Sequence, residues 1–326
     1  MAGRVRAPVN IVDPGEILEN DAILNEDWRL TTLFMELTTP QDAIVWLARH
    51  RLLKNNFRCE RCDQPCRLVA YEKGIDKKRW KCSHCKLTKS IRDESFFSKS
   101  HLSLQKIMIL TYCWANDFQQ NIAAHEARVN NTSTIVDWYN FCREECETYL
   151  ERQHIEIGGI DEDGFPIEVE IVESKYFHRK YHRGEWREGH WVFGGIERRS
   201  KRCFLVEVPD RRAVTLEALI QQYILPGSHI FSDGWAAYGN IDAIANGVYM
   251  HSVVNHRQAF VDPNNPNIHT NNVENLWMRA KRKLRMQFGT SEVLFTTYLH
   301  EFMYKDSFQQ RNIFERFLII LRENYL

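Results

Sequence analysis

The chain has 326 residues, and its 43 Lys and Arg are balanced by 43 Asp and Glu. That length accommodates two or three domains with sizeable cores, and zero net charge confines any affinity for nucleic acid to local basic patches. No apolar run is long enough to cross a membrane, and Met1-Ala2-Gly3-Arg4-Val5-Arg6 lacks the apolar core of a secretory signal, so a membrane or secreted protein is not expected.

Residues 1–38 carry little signal. Thr39-Pro40 predicts the start of an amphipathic helix, with Ala43, Ile44, Trp46, Leu47 and Leu52-Leu53 as its apolar stripe. Nine cysteines follow along the chain, an odd count, and four of them fall in pairs. Cys59-x-x-Cys62 and Cys82-x-x-Cys85, nineteen residues apart, have the spacing of a tetrahedral zinc site in a reducing compartment. Cys66 is a spare that competes with Cys62 as ligand. Arg58, Arg61, Arg67, Lys77, Lys78, Arg79, Lys81, Lys86 and Lys89 surround the pairs, which suits phosphate contact; ribbons of this kind also serve protein partners.

Helices are expected over 102–118, 121–128 and 132–150. The last two, around Val129-Asn130-Asn131, fit a helix-turn-helix whose Thr132, Ser133, Thr134 and Asn140 face a groove, although two helices around a turn are as readily plain packing. From Pro166 the period becomes that of strands: 167–174, 190–197 and 203–208. A helix over 215–223, a strand over 230–232, a helix over 235–245 and a strand over 249–254 follow. A loop rich in Asn and Pro then leads to a basic amphipathic helix over 270–285. Three strands, helix, strand, helix, strand, helix is the order of a ribonuclease H-like α/β domain. The apolar segment 314–321 is expected to pack back on the core.

Several blocks in this half are specific. Trp191-Val192-Phe193-Gly194-Gly195-Ile196-Glu197-Arg198, Val208-Pro209-Asp210-Arg211 and Pro226-Gly227-Ser228-His229-Ile230-Phe231-Ser232-Asp233-Gly234-Trp235-Ala236-Ala237-Tyr238 are followed by Val254-Asn255-His256 and His269-Thr270-Asn271-x-x-Glu274-x-x-Trp277. In that order they resemble the Merlin superfamily of cut-and-paste DNA transposases and related bacterial insertion-sequence transposases, over roughly residues 40–310. The cysteine ribbon and Trp138-Tyr139-Asn140-Phe141-Cys142-Arg143 are similar to the same family.

The resemblance implies a catalytic triad of two aspartates and a glutamate that holds two Mg²⁺ or Mn²⁺ ions. Its second and third members map onto Asp233 and Glu274. The first maps onto Val172, in Ile171-Val172-Glu173-Ser174-Lys175-Tyr176. A valine offers no oxygen to a hard cation. Glu170 shares the strand face of Val172, about 7 Å away along the strand, and is the substitute acid to consider; Glu173 points to the opposite face, and Asp161 and Asp163 lie in the turn before it. The resemblance also implies DNA as partner and leaves a homo-oligomer open. Lys175, Arg179, Lys180 and Arg183 form a basic arm that suits DNA contact, although a charged exposed hairpin is the commoner explanation, and Lys281, Lys283 and Arg285 add basic charge along the helix over 270–285. The residue His251, with His256 and His269, flanks the same region.

The expected fold is α/β, a ribonuclease H-like core preceded by a zinc ribbon and a helix-turn-helix-like segment. Its divisions are a helical region over 1–56, the ribbon over 57–97, the helical DNA-binding segment over 98–155, the transposase domain over 156–310 and a C-terminal helix over 311–326. Three functions stay open: a domesticated or decayed transposase that binds DNA without cutting, an active metal-dependent transposase, and a ribbon that contacts only proteins. Such a protein acts in the nucleus of a eukaryote or the cytoplasm of a bacterium.

Overall fold

The computed structural model describes residues 9–177, 189–254, 265–286 and 292–325. They form two compact units, residues 1–145 with 311–326 and residues 146–310.

In the first unit, two short helices, α1 (Asn20–Leu24) and α2 (Leu30–Glu36), precede α3 (Pro40–Arg49). The first two are too short for periodicity to reveal. The start of α3 is built by Thr39, whose hydroxyl accepts from the Asp42 amide while the Asp42 carboxylate accepts from the Thr39 amide at 2.9 Å. Its buried face is Ala43, Ile44, Trp46 and Leu47.

Strands β1 (Cys66–Ala70), β2 (Lys78–Cys82) and β3 (Thr88–Ser90) form an antiparallel sheet around the cysteines. Arg92 ties this sheet to the chain that follows. Its guanidinium donates to Asp76 at 2.7 and 2.6 Å and to the carbonyls of Ser100 and Leu102, so a buried ion pair is also fully hydrogen-bonded. Helix α4 (Leu104–Ala115) is apolar nearly all round and buried accordingly. Helices α5 (Gln120–Glu126) and α6 (Thr132–Gln153) come next, and the boundary between the units falls inside α6.

The second unit holds β4 (Ile157–Gly158), β5 (Glu168–Tyr176), β6 (His190–Glu197), β7 (Cys203–Val208), α7 (Ala213–Tyr223), β8 (Ile224–Leu225), β9 (His229–Asp233), β10 (Met250–Val254), α8 (Asn271–Met286) and α9 (Phe295–Ser307). Its main sheet runs β10-β9-β5-β6-β7. The first three strands in sequence, β5 to β7, are antiparallel, whereas β9 and β10 join parallel to β5. The mixed α/β class is the one expected. One face packs on α8 and α9 through Val172, Val192, Leu205, Leu276, Trp277 and Phe302. The other buries Ile171, Phe193, Phe204, Leu216, Ile220 and Tyr238 beneath α7. Gly194 lets α8 lie close: a Cβ there would come within 2.8 Å of the Trp277 ring.

Two elements depart from the sequence reading. Residues 235–245 are not a helix but two 3-10 turns, Ala236–Tyr238 and Ile241–Asn246, broken by Ala245 and Asn246 in the left-handed region. Gly239 and Asn240 interrupt the helical run, and local turn chemistry wins. Helix α9 was not expected, because its buried surface includes Glu301 and Lys305 and hides the apolar period. The C-terminal α10 (Ile313–Tyr325) belongs to the first unit, where Phe317 lies 4.6 Å from Trp114.

Candidate functional site

Parallel pairing of β5 with β9 sets Glu170 opposite Phe231 and Ile171 opposite Ser232. The next step along both strands brings Val172 beside Asp233, which ends β9. Glu274 stands exposed in the first turn of α8, whose buried stripe of Val273, Leu276, Trp277, Ala280 and Leu284 packs on the same face as Val172. The register thus sets the strand-end aspartate and the central-strand position at the same end of the sheet, and the helical glutamate opens the helix that packs on the face of Val172.

The central-strand position is apolar. Val172 is only 5% exposed and sits in the cluster with Trp277. Among the described residues, Asp233 and Glu274 are joined by no third carboxylate, histidine or cysteine at metal-binding distance. Two hard cations need several shared oxygens, so the described residues do not by themselves make up a two-ion centre.

Neither nearby glutamate is free to fill the gap. Glu170 is completely buried, and one oxygen accepts from the amides of Asn272 and Val273 at 2.8 and 3.0 Å. Its other oxygen accepts from Arg198 Nε at 2.8 Å and Asn272 Nδ2 at 2.7 Å, with His269 Nδ1 at 3.2 Å. This carboxylate anchors the positive end of α8. Glu173 faces the other side, where Arg211 bonds it at 3.0 Å and the buried Tyr238 hydroxyl donates to it. Burial, with the Glu173 charge, pushes the Tyr238 phenol well above its usual range, so it stays a donor. Asp161 accepts from the amides of Asp163 and Phe165 and shapes the turn before the strand.

The basic residues divide. Lys175 lies 5.3 Å from the Trp191 ring, Lys281 donates to Ser174 Oγ at 2.5 Å, and Arg285 is exposed. Lys283 is turned inward, with only 11% of its side chain exposed and its Nζ 3.0 Å from the buried Glu301. Arg179, Lys180 and Arg183 lie outside the described residues, as does His256. His251 bonds Ser232 Oγ at 2.8 Å, and burial lowers its pKa. In α6, Thr132 and Ser133 are exposed, while Trp138 is buried and donates to Thr111 at 3.2 Å. Arg198 and Arg211, both bonded to strand glutamates, were not singled out from sequence; their only signal was position within the resembling blocks.

The sulfurs of Cys59, Cys62, Cys82 and Cys85 lie within 4.8 Å of one another, with Cys59 and Cys85 at 3.2 Å and Cys62 and Cys82 at 3.5 Å. A tetrahedron with zinc–sulfur bonds of about 2.3 Å has edges of about 3.8 Å, so the four thiols fit that ion. Cys66 is outside the group. Burial works to raise the Cys82 thiol, but the amides of Cys85 and His84 outweigh it and bring it to about 6, favouring the thiolate that binds metal. The strands of the surrounding sheet carry no acid, and one face presents Arg67 and Lys81 directly opposite each other, with Arg79 beside them.

Residues 157–306 match the model of the ISXO2-like transposase domain. An uncharacterized transposase-like protein of Haemophilus influenzae (strain ATCC 51907 / DSM 11121 / KW20 / Rd) is 28% identical over 100 residues, which are 31% of this chain and 76% of the relative. These matches support a transposase family. Parts of the chain also overlap solved structures loosely. The catalytic core domain of BIV integrase is 15% identical, with a TM-score of 0.30 over 43% of this chain and 81% of that one. A simian T-cell lymphotropic virus intasome in complex with a PP2A regulatory subunit is 13% identical, with a TM-score of 0.30 over 60% and 67%.

Proposed function

We propose that this is a transposase-derived DNA-binding protein, Merlin-like in type, whose strand-cleaving centre is impaired or lost. The carrying observation is Val172, an apolar side chain packed in the core at the position beside Asp233 where the resemblance calls for an acid. Asp233 and Glu274 are the surviving members of the triad. The engagement of both Glu170 oxygens by Arg198, Asn272 and Val273 argues against an active enzyme that uses it as substitute.

The four thiols hold one structural zinc, which fixes the basic face of Arg67, Arg79 and Lys81. Like charges placed opposite each other on a sheet repel, and an anionic partner relieves that cost, which favours phosphate over a protein surface of mixed charge. Lys281 and Arg285 add contacts along α8.

The test is direct. Purified protein, incubated with Mg²⁺ or Mn²⁺ and duplexes carrying the sequences that flank its own gene, should bind them and leave them uncut. Robust metal-dependent cleavage, abolished by Glu274→Gln, would overturn the reading of a lost centre, and absence of binding at low salt would overturn the DNA reading itself.

A further inference from the structure

We propose that Trp235 is the outer plate of a stacking site for an unpaired nucleobase next to Asp233, an inference that rests on the DNA-binding reading above. Four side chains form an alternating ladder of cations and rings. Lys175 and Trp191 are cross-strand partners on β5 and β6, and Val208, the partner of Trp191 on β7, leads within three residues to Arg211. The Lys175 ammonium is 5.3 Å from the Trp191 ring. The Arg211 guanidinium lies 3.9 Å from the Trp191 ring and 4.2 Å from the Trp235 ring, in contact with both indoles. Its edge is taken by Glu173 at 3.0 Å, itself buried. Arg211 is therefore packed against two rings and neutralised by a carboxylate, a poor arrangement for gripping phosphate and a good one for holding the rings in place.

Trp235 is fixed in three ways. Its amide donates to Asp233 Oδ1 at 3.0 Å, its indole N–H donates to the Arg211 carbonyl at 3.3 Å, and one face carries the Arg211 cation. Yet the residue is 39% exposed and belongs to neither core cluster of its unit. Packing alone does not account for a large ring held this firmly at the surface, because burial is what ordinarily rewards an indole. A rigid ring with a cation behind it and solvent before it suits another flat π system, and stacking tolerates any base because every base has a π face. Trp235 is two residues from Asp233, with Gly234 between them, so a stacked base would bring its own backbone to the acidic end of the site.

The base can come from a single-stranded overhang or be extruded from a duplex. Two probes separate these sources: a duplex with 2-aminopurine in a 3′ overhang, and a blunt duplex with the same base internal and paired. The wild type should alter the probe's fluorescence on binding. Change with the overhang alone identifies an end-binding site, and change with both identifies extrusion. Trp235→Ala should abolish the change and weaken overhang binding by about 5- to 150-fold, leaving blunt-duplex binding within about 2-fold if extrusion is absent. Trp235→Phe should retain part of the signal, and Phe165→Ala, at another exposed ring, all of it. An unchanged signal in Trp235→Ala that still binds DNA would sink the stacking site alone. A wild type that binds neither duplex would sink it together with the DNA reading.

Discussion

At the scale of single residues, the proposed loss of strand cleavage turns on Val172 and Glu170. Val172→Asp returns a carboxylate beside Asp233 but places it in a dry, packed spot. It should cost about 2–4 kcal/mol of stability, visible in a denaturant melt, and in return tighten Mn²⁺ binding measured by calorimetry. If Mn²⁺ affinity is the same with valine or aspartate, the triad reading of this position fails. Glu170→Gln separates structure from chemistry. Removing the buried charge leaves Arg198 with only the more exposed Glu168 as counterion and weakens the hold on the first turn of α8, so about 3–5 kcal/mol of stability should go. A Glu170→Gln protein as stable as the parent would show that the carboxylate does not hold α8.

At the scale of elements, the ribbon and the β9–β10 pair make separate demands. If the four thiols hold zinc as proposed, a segment with so small a core as residues 57–97 should fold only with its metal. Metal analysis should find about one zinc per chain, and Cys82→Ser should lose it along with protection of β1 and β2 from hydrogen exchange. Retention of a full equivalent in a Cys59→Ser, Cys82→Ser double variant would count against the site. On β9 and β10, His229 bonds Ser252 and His251 bonds Ser232, each at 2.8 Å. Burial is the main cause that lowers both imidazoles below their ordinary value. A histidine with a depressed folded pKa binds protons more readily when unfolded, so the stability it contributes is present above about pH 6.5 and is lost as pH falls towards the folded pKa. The melting temperature should therefore drop on acidification below about pH 6.5, and less steeply in His251→Gln. Equal slopes in the two proteins would rule out His251 as a source.

For the molecule as a whole, zero net charge and a DNA-binding role are compatible only if the charge is unevenly distributed. Affinity for duplex DNA should fall steeply with salt, and removing Arg67, Arg79 and Lys81 together should flatten the logarithmic slope by up to about three units. Lys283→Ala is the internal control. Its ammonium faces Glu301, so the slope should hold while stability falls. A salt slope that drops with Lys283→Ala and ignores the ribbon would move the DNA surface to α8.

The sequence by itself determined the features carried by local spacing. Paired cysteines, the capping residues Thr39 and Asp42, and the apolar runs over 190–197 and 203–208 each encode their structure within a few residues, and the observed elements follow them. The ordered blocks also carried the transposase resemblance that residues 157–306 support. Tertiary structure decided what depends on partners distant in the chain. That Glu170 is engaged follows from Arg198 and Asn272, 28 and 102 residues away. Lys283 looks like a DNA contact on its own helix until Glu301 arrives from α9. The ring ladder joins β5, β6, the turn after β7 and the residue after Gly234, four places that no period connects. A charged or aromatic side chain has the same appearance in sequence whether it faces solvent or a buried counterpart, and only the folded chain supplies the counterpart.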